Sequence, residues 1–271
     1  MTQRFGSITI PLTIAFLVTA APAVCETRNV WKSADIDSRA AKARGTVTLH
    51  DGAGYSIQLQ SIQKSESVPG ESVDQILWIR RGAGHLSTGS PARRSGLAAG
   101  DLVRLPRATA YTIEPVGGQL AFVAVRVKPF AAGRTAPAGI RPTRGEMGDV
   151  LTRAAIDATI ARTEANAPLH VQDNFTVNYV LFKGRVGPWE SHAGCADIYL
   201  VQTGTGTIQL GGSIENAKEE SPGEPRGTGV TGSRDSAVGA GDLVVIPRNV
   251  AHHMNPKTLP LAYVLVKVWS E

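Results

Sequence analysis

Gly100-Asp101-Leu102-Val103-Arg104-Leu105-Pro106-Arg107 returns later in the chain as Gly241-Asp242-Leu243-Val244-Val245-Ile246-Pro247-Arg248, and this recurrence decides how the protein is built. The copies lie 141 residues apart, and at the same spacing residues 120–127 (LAFVAVRV) match residues 261–268 (LAYVLVKV) without a gap. An earlier match, residues 76–84 with 198–206 and then Gly89 with Gly211, runs at a spacing of 122 residues. Matches in one order mean an internal repeat, hence two units of one architecture. The two spacings differ by a 19-residue insertion in the second copy, between Gly211 and Ala240. Rich in Gly, Ser, Pro and Glu, it reads as a long surface loop, either a lid or binding loop or an insertion that is merely tolerated.

Working outward, most repeated segments are β-branched or alternating and are punctuated by Gly or Pro, which predicts strands at 56–60, 75–79, 197–201, 207–210, 243–246 and 261–268. Helical periodicity is confined to 33–43 and 150–163, each leading into one copy. The fold class is therefore all-β with short helices leading into each unit. The Pro- and Gly-bearing stretch between the copies is the natural linker, giving units at 24–128 and 148–271 joined by 129–147.

The composition, 42% hydrophobic and 19% charged over 271 residues, is that of a folded globular protein. The net charge is +5, but the basic residues are scattered and do not interleave with aromatic ones, which argues against a nucleic-acid partner. At the amino terminus Arg4 precedes an apolar run over 8–20 and then Ala21-Pro22-Ala23, the pattern of a signal peptide over 1–23. The expected mature chain begins at Val24 and is periplasmic or secreted. No other stretch approaches the ~18 apolar residues of a membrane-spanning helix, so no integral span is expected after signal removal. Cys25 follows the cleavage site, but Pro22-Ala23-Val24 matches a lipoprotein signal poorly. A bridge between Cys25 and Cys195 is left open by the sequence.

The second copy gathers metal-type residues in two short segments. The first is Gly187-Pro188-Trp189-Glu190-Ser191-His192-Ala193-Gly194-Cys195-Ala196-Asp197, and the second runs from Gly241 through Pro247 to His252. Side chains two apart on a strand share a face, so Glu190 and His192 can point inward together. Asp197 and His252 would come from adjoining strands. A His beside a carboxylate is ordinarily a hydrogen-bonded or surface pair. Clustering two carboxylates inside a fold carries a cost that a divalent ion would relieve.

These segments resemble the cupins. The family's first motif is Gly, five residues, His-x-His, three or four residues, Glu, six residues, Gly; here Glu190-x-His192 is followed by four residues, Asp197, six residues and Gly204. Its second motif is Gly, five residues, Pro, x, Gly, two residues, His, three residues, Asn; here stand Gly241, Pro247, Arg248, Asn249 and His252, with Asn255 one place early. The resemblance implies two tandem antiparallel jelly-roll barrels, with one divalent metal held in the second by Glu190, His192, Asp197 and His252. Carboxylates in place of a His and of the usual Glu harden the set toward Mn, Fe or Zn, with Cu also admissible. The pattern also resembles exported bacterial cupins in which Glu-x-His-x4-Asp is followed by a Pro-Gly-Glu-x-Arg-Gly loop, matched here by Pro222-Gly223-Glu224-Pro225-Arg226-Gly227.

At the corresponding places the first copy has Val68, Gly70, Gln75 and Tyr111, so it is expected to be structural or a partner surface. His85 and His253 are expected at the surface, Cys195 in a loop, and Trp189 and Asn255 against a substrate, with Tyr199 moving protons. The leading expectation is a metal-dependent oxidoreductase of oxidase or dioxygenase type acting on a small oxygen-bearing substrate. Isomerase, lyase or hydrolase chemistry is the nearer alternative. A periplasmic protein that only binds a sugar or organic acid is the other, and either form could be an oligomer.

Overall fold

The computed structural model describes residues 29–89, 91–130, 147–162, 166–184 and 186–269. The proposed export segment, Cys25 and most of the linker lie outside them. The all-β expectation holds: antiparallel sheets make up both copies, and the two helices are short, Ser33–Lys42 and Arg153–Arg162.

The first copy forms one sheet ordered Gly45–Asp51, Tyr55–Ile62, Tyr111–Val127, Asp74–Thr88, Leu102–Leu105, Val150–Leu151. Its two long strands also carry Glu66–Val68 and Arg93–Ala98. In the second copy the same path is divided. One sheet runs Val30–Trp31, Leu243–Ile246, Ala196–Thr203, Leu261–Val268, Phe175–Phe182, Ala167–Val171. The other runs Lys218–Glu219, Pro225–Gly227, Trp189–Glu190, His252–Pro256, Thr205–Leu210, Arg234–Gly239.

The apolar repeat that opened the sequence explains how the halves meet. Along Leu261–Val268, Leu261 and Tyr263 point into a core inside the second barrel, while Ala262, Val264, Val266 and Val268 point into another. In the first copy Leu120, Phe122 and Ala124 fill the barrel, and Ala121, Val123, Val125 and Val127 join that same second core. Strands buried on both faces read as near-continuous apolar runs, as these do. The shared core also takes Trp31 and Ile36 from the first lead-in and Ile156 from the second.

The lead-in segments are exchanged. Val30–Trp31 pairs with Leu243 and Val244 of the second copy, whereas Val150–Leu151, counted above with the second unit, pairs with Leu102 and Val103 of the first. Each helix that follows is capped by the other half. The Ser33 N–H donates to Asp242 Oδ1 at 2.7 Å, and the Arg153 N–H donates to Asp101 Oδ1 at 2.7 Å. Asp101 and Asp242 are the same position of the repeat, so one device is used twice.

Candidate metal centre

Glu190 sits on the two-residue strand Trp189–Glu190, held between two neighbours: it pairs with Arg226 on one side and with His252 on the other. His192 follows after one residue, its carbonyl accepting the Asn249 N–H at 2.8 Å. Asp197 lies on Ala196–Thr203, opposite Ile246 and Lys267. Two neighbouring segments, 189–192 and 196–203, thus converge with the distant strand His252–Pro256 at the second barrel.

The convergence is close. Ligand-type atoms of Glu190, His192 and His252 all lie within 4.8 Å of one another. Asp197 Oδ2 is 3.4 Å from His192 Nε2 and 3.7 Å from His252 Nε2, and Glu190 Oε1 is 3.6 Å from His252 Nε2. His192, Asp197 and His252 are buried, and Glu190 is half-buried. All four residues singled out as ligands are therefore brought together.

Neighbours fix how the rings face. His252 Nδ1 lies 3.0 Å from the Val250 carbonyl, which requires an N–H there and leaves a lone pair on Nε2. That Nε2 is buried and has no hydrogen-bond partner. A buried nitrogen left without a partner costs free energy unless something binds it. His192 Nδ1 lies 2.5 Å from Glu224 Oε2, turning its Nε2 toward Asp197. The donors present, two imidazoles and two carboxylates around an orphaned nitrogen, fit a divalent ion of intermediate hardness.

Charge in the site is nearly balanced. Burial alone would raise the Asp197 carboxyl, but the Lys267 ammonium 3.6 Å away and His192 hold it below the usual carboxylate range. Burial likewise opposes ionisation of Glu190, but the adjacent His252 and His192 rings outweigh it and lower its carboxyl. Arg226 braces the same group, its Nη2 3.2 Å from Glu190 Oε2. For His192 burial works downward, yet the Asp197 charge and hydrogen bonds to Asp197 and Glu224 push it up to about 9, against the nearby Lys267. The cluster favours a cation at His192 Nε2, where a proton, the Lys267 ammonium 3.2 Å away and a metal ion would compete.

Other expectations change. Strand alternation turns Trp189 away from Glu190, and its buried ring stacks on His253 with centroids 5.2 Å apart. Asn255 shares the outward parity of His253 and is not brought to the cluster. Tyr199 touches the site only edge-on, 6.4 Å from the His252 ring, and stacks on Tyr263 at 4.2 Å. Burial raises its phenol well above its usual range, and its ring packs in the core of the second barrel. Cys195 is buried, with Sγ 4.0 Å from Asp197 Oδ1, and burial raises its thiol.

Glu224, Arg226 and Lys267 were missed as site residues. The first two stood in the quoted Pro-Gly-Glu-Pro-Arg-Gly loop, and Lys267 stood in the repeat opposite Arg126. The register preserves the repeat at the site itself. Glu190 faces His252 as Val68 faces Tyr111, and Asp197 faces Lys267 as Gln75 faces Arg126. The first barrel replaces ligands with an Arg126–Glu71 ion pair and packed side chains. At Gly70, the counterpart of His192, a Cβ would lie 2.5 Å from the Ala108 carbonyl oxygen, so no side chain fits there.

No protein-family model and no curated protein matches the sequence. Solved structures do match. Salicylate 1,2-dioxygenase from Pseudaminobacter salicylatoxidans superposes with a TM-score of 0.63 at 12% identity, over 96% of this chain and 89% of that one. A gentisate adduct of that enzyme gives 0.61 at 11% identity, over 88% and 80%. A cupin 2 conserved barrel domain protein from Leptotrichia buccalis gives 0.51 at 14% identity, over 83% and 91%. At such identities the likeness shows the fold, and the fold is that of the cupins. Within that class the chain is a tandem two-barrel form.

Proposed function

We propose that the second barrel binds one divalent ion, Mn, Fe or Zn with Cu admissible, through Glu190, His192, Asp197 and His252. We further propose that the protein is a metal-dependent oxidoreductase of oxidase or dioxygenase type acting on a small oxygen-bearing substrate. The observation that carries the reading is the buried, unpartnered Nε2 of His252, aimed at two carboxylates beside a second imidazole. Such an ion, when bound, supplies Lewis-acid or redox chemistry at its open positions. The protein's own groups set the surroundings: Val250 and Glu224 orient the rings, and Arg226 and Lys267 hold the carboxylates ionised.

The structural neighbours named salicylate 1,2-dioxygenase support oxygen chemistry, although fold alone hosts many reactions. Metal analysis of purified protein should find one ion per chain, and oxygen uptake should appear with some member of a panel of small acids, phenols and sugars. An ion-free protein that takes up none of the added metals would refute the metal reading. A loaded protein that binds panel members without turning them over would favour a periplasmic binding protein. Export of the chain, proposed from residues 1–23, is checked by amino-terminal sequencing of native protein, which should start near Val24 and not at Met1.

A further inference from the structure

The insertion that distinguishes the second copy folds back onto the proposed centre. Between Gly211 and Arg234 it forms the pair Ser213–Glu215 with Gly229–Thr231 and the pair Lys218–Glu219 with Pro225–Gly227. The strand Pro225–Gly227 then continues the sheet beside Trp189–Glu190. Two backbone bonds pin it there: the Ser191 N–H donates to the Pro225 carbonyl at 3.2 Å, and the Ala193 N–H to the Gly223 carbonyl at 2.8 Å. The fit is tight, since a Cβ on Gly223 would lie 2.9 Å from the Ala193 Cβ. An insertion anchored in this way is not a passive surface loop.

It delivers Glu224, which is only 6% exposed, to the back of His192. Glu224 Oε2 is 2.5 Å from Nδ1, and its Oε1 has no hydrogen-bond partner. We infer that Glu224 is a positioning residue, supplied by the insertion, that accepts the Nδ1–H of His192 and thereby presents Nε2 to the ion. This rests on the metal reading above. A carboxylate behind an imidazole fixes its tautomer and orientation and increases its strength as a ligand. The first copy has neither the insertion nor a side chain at Gly70, so the added segment and the added imidazole belong to one construction. His192, Cys195 and Glu224 also lie close enough to hold an ion themselves. The positioning role is favoured because Glu224 Oε2 already faces Nδ1 at hydrogen-bond distance.

The test compares Zn2+ affinity, by competition with a chelator, for wild type, Glu224→Ala, Glu224→Gln and Glu224→Met in the full mature chain. Removing the carboxylate should weaken binding about 10- to 100-fold, with Gln, which still accepts a hydrogen bond, recovering much of the loss. Met fills the volume without an acceptor and takes the place of Ala if Ala does not fold. In the Zn2+-loaded protein, 15N-labelled His192 should show a protonated Nδ1 that changes in the Ala or Met variant. Affinities within twofold of wild type in the folded Ala or Met variant would overturn this inference alone. So would uptake of two ions with Cys195 protected from alkylation. A wild type that binds no Zn2+, Mn2+ or Fe2+ would overturn the metal reading and this inference together.

Discussion

His252 and its counterpart Tyr111 offer the sharpest comparison at the scale of single residues, because one register position carries a proposed ligand in one barrel and a phenol in the other. His192→Ala or His252→Ala should remove most of the bound metal, while Tyr111→Phe leaves it unchanged; elemental analysis of the three variants decides this. The pH dependence follows from His192, raised from 6.5 to about 9 in the ion-free protein. A raised folded-state pKa adds stability that is complete below the unfolded value and disappears as pH rises through the folded one. The ion-free protein should therefore lose stability between pH 6.5 and about 9. Metal must displace that proton, so apparent affinity should climb about tenfold per pH unit across the same window and then level off. Affinity that is flat from pH 6.5 to about 9 would show that His192 is not a ligand.

Among the elements, the exchanged lead-ins make the clearest demands. The helix Ser33–Lys42 receives no cap from the side chain of its own Lys32, and Asp242 of the other half does that work. Asp242→Ala and Asp101→Ala should each cost about 1–2 kcal/mol, as loss of a helix cap does. Denaturant titration measures the cost; a change near zero for both would show that solvent replaces these caps freely. Turn geometry makes a second demand. Gly204 has φ +79°, and a Cβ there would lie 2.5 Å from the Pro260 carbonyl oxygen; its counterpart Gly82 has φ +83°, with 2.2 Å to Gln119. Gly204→Ala should destabilise by about 1–3 kcal/mol for the strained backbone conformation alone.

For the molecule as a whole, the shared core and the crossed lead-ins tie the two copies into one unit of stability. Trp31, Ile36 and Ile156 lie in one buried cluster with Val123 and Val125 of the first copy and Val264 and Val266 of the second. Unfolding either copy would expose the face of the other. Calorimetry of the ion-free chain should accordingly show one cooperative transition. Two resolved transitions would mean that the barrels melt independently. A bound ion adds stability only to the folded form, so loading should move that transition upward.

The repeat, the strand positions and the four residues proposed as ligands were legible from the chain, because a period of two, a constant spacing and motif intervals are properties of neighbours in sequence. Strands 243–246 and 261–268 appear at the bounds read from their apolar alternation. What only the folded chain decided depends on contacts between distant segments. Glu224 reaches His192 across 32 residues through an insertion whose composition marked it only as loop, and Lys267 meets Asp197 because two strands align in one register. The same pleat that turns Glu190 toward His252 and the cluster turns Trp189 the other way, onto His253, a difference that proximity in sequence does not show. The crossing of the lead-ins was hidden for a related reason: Val30–Trp31 and Val150–Leu151 can each complete a strand edge in either copy, since the repeat gives both copies the same edge. Only packing in three dimensions, with Asp242 meeting Ser33 and Asp101 meeting Arg153, selects the crossed arrangement.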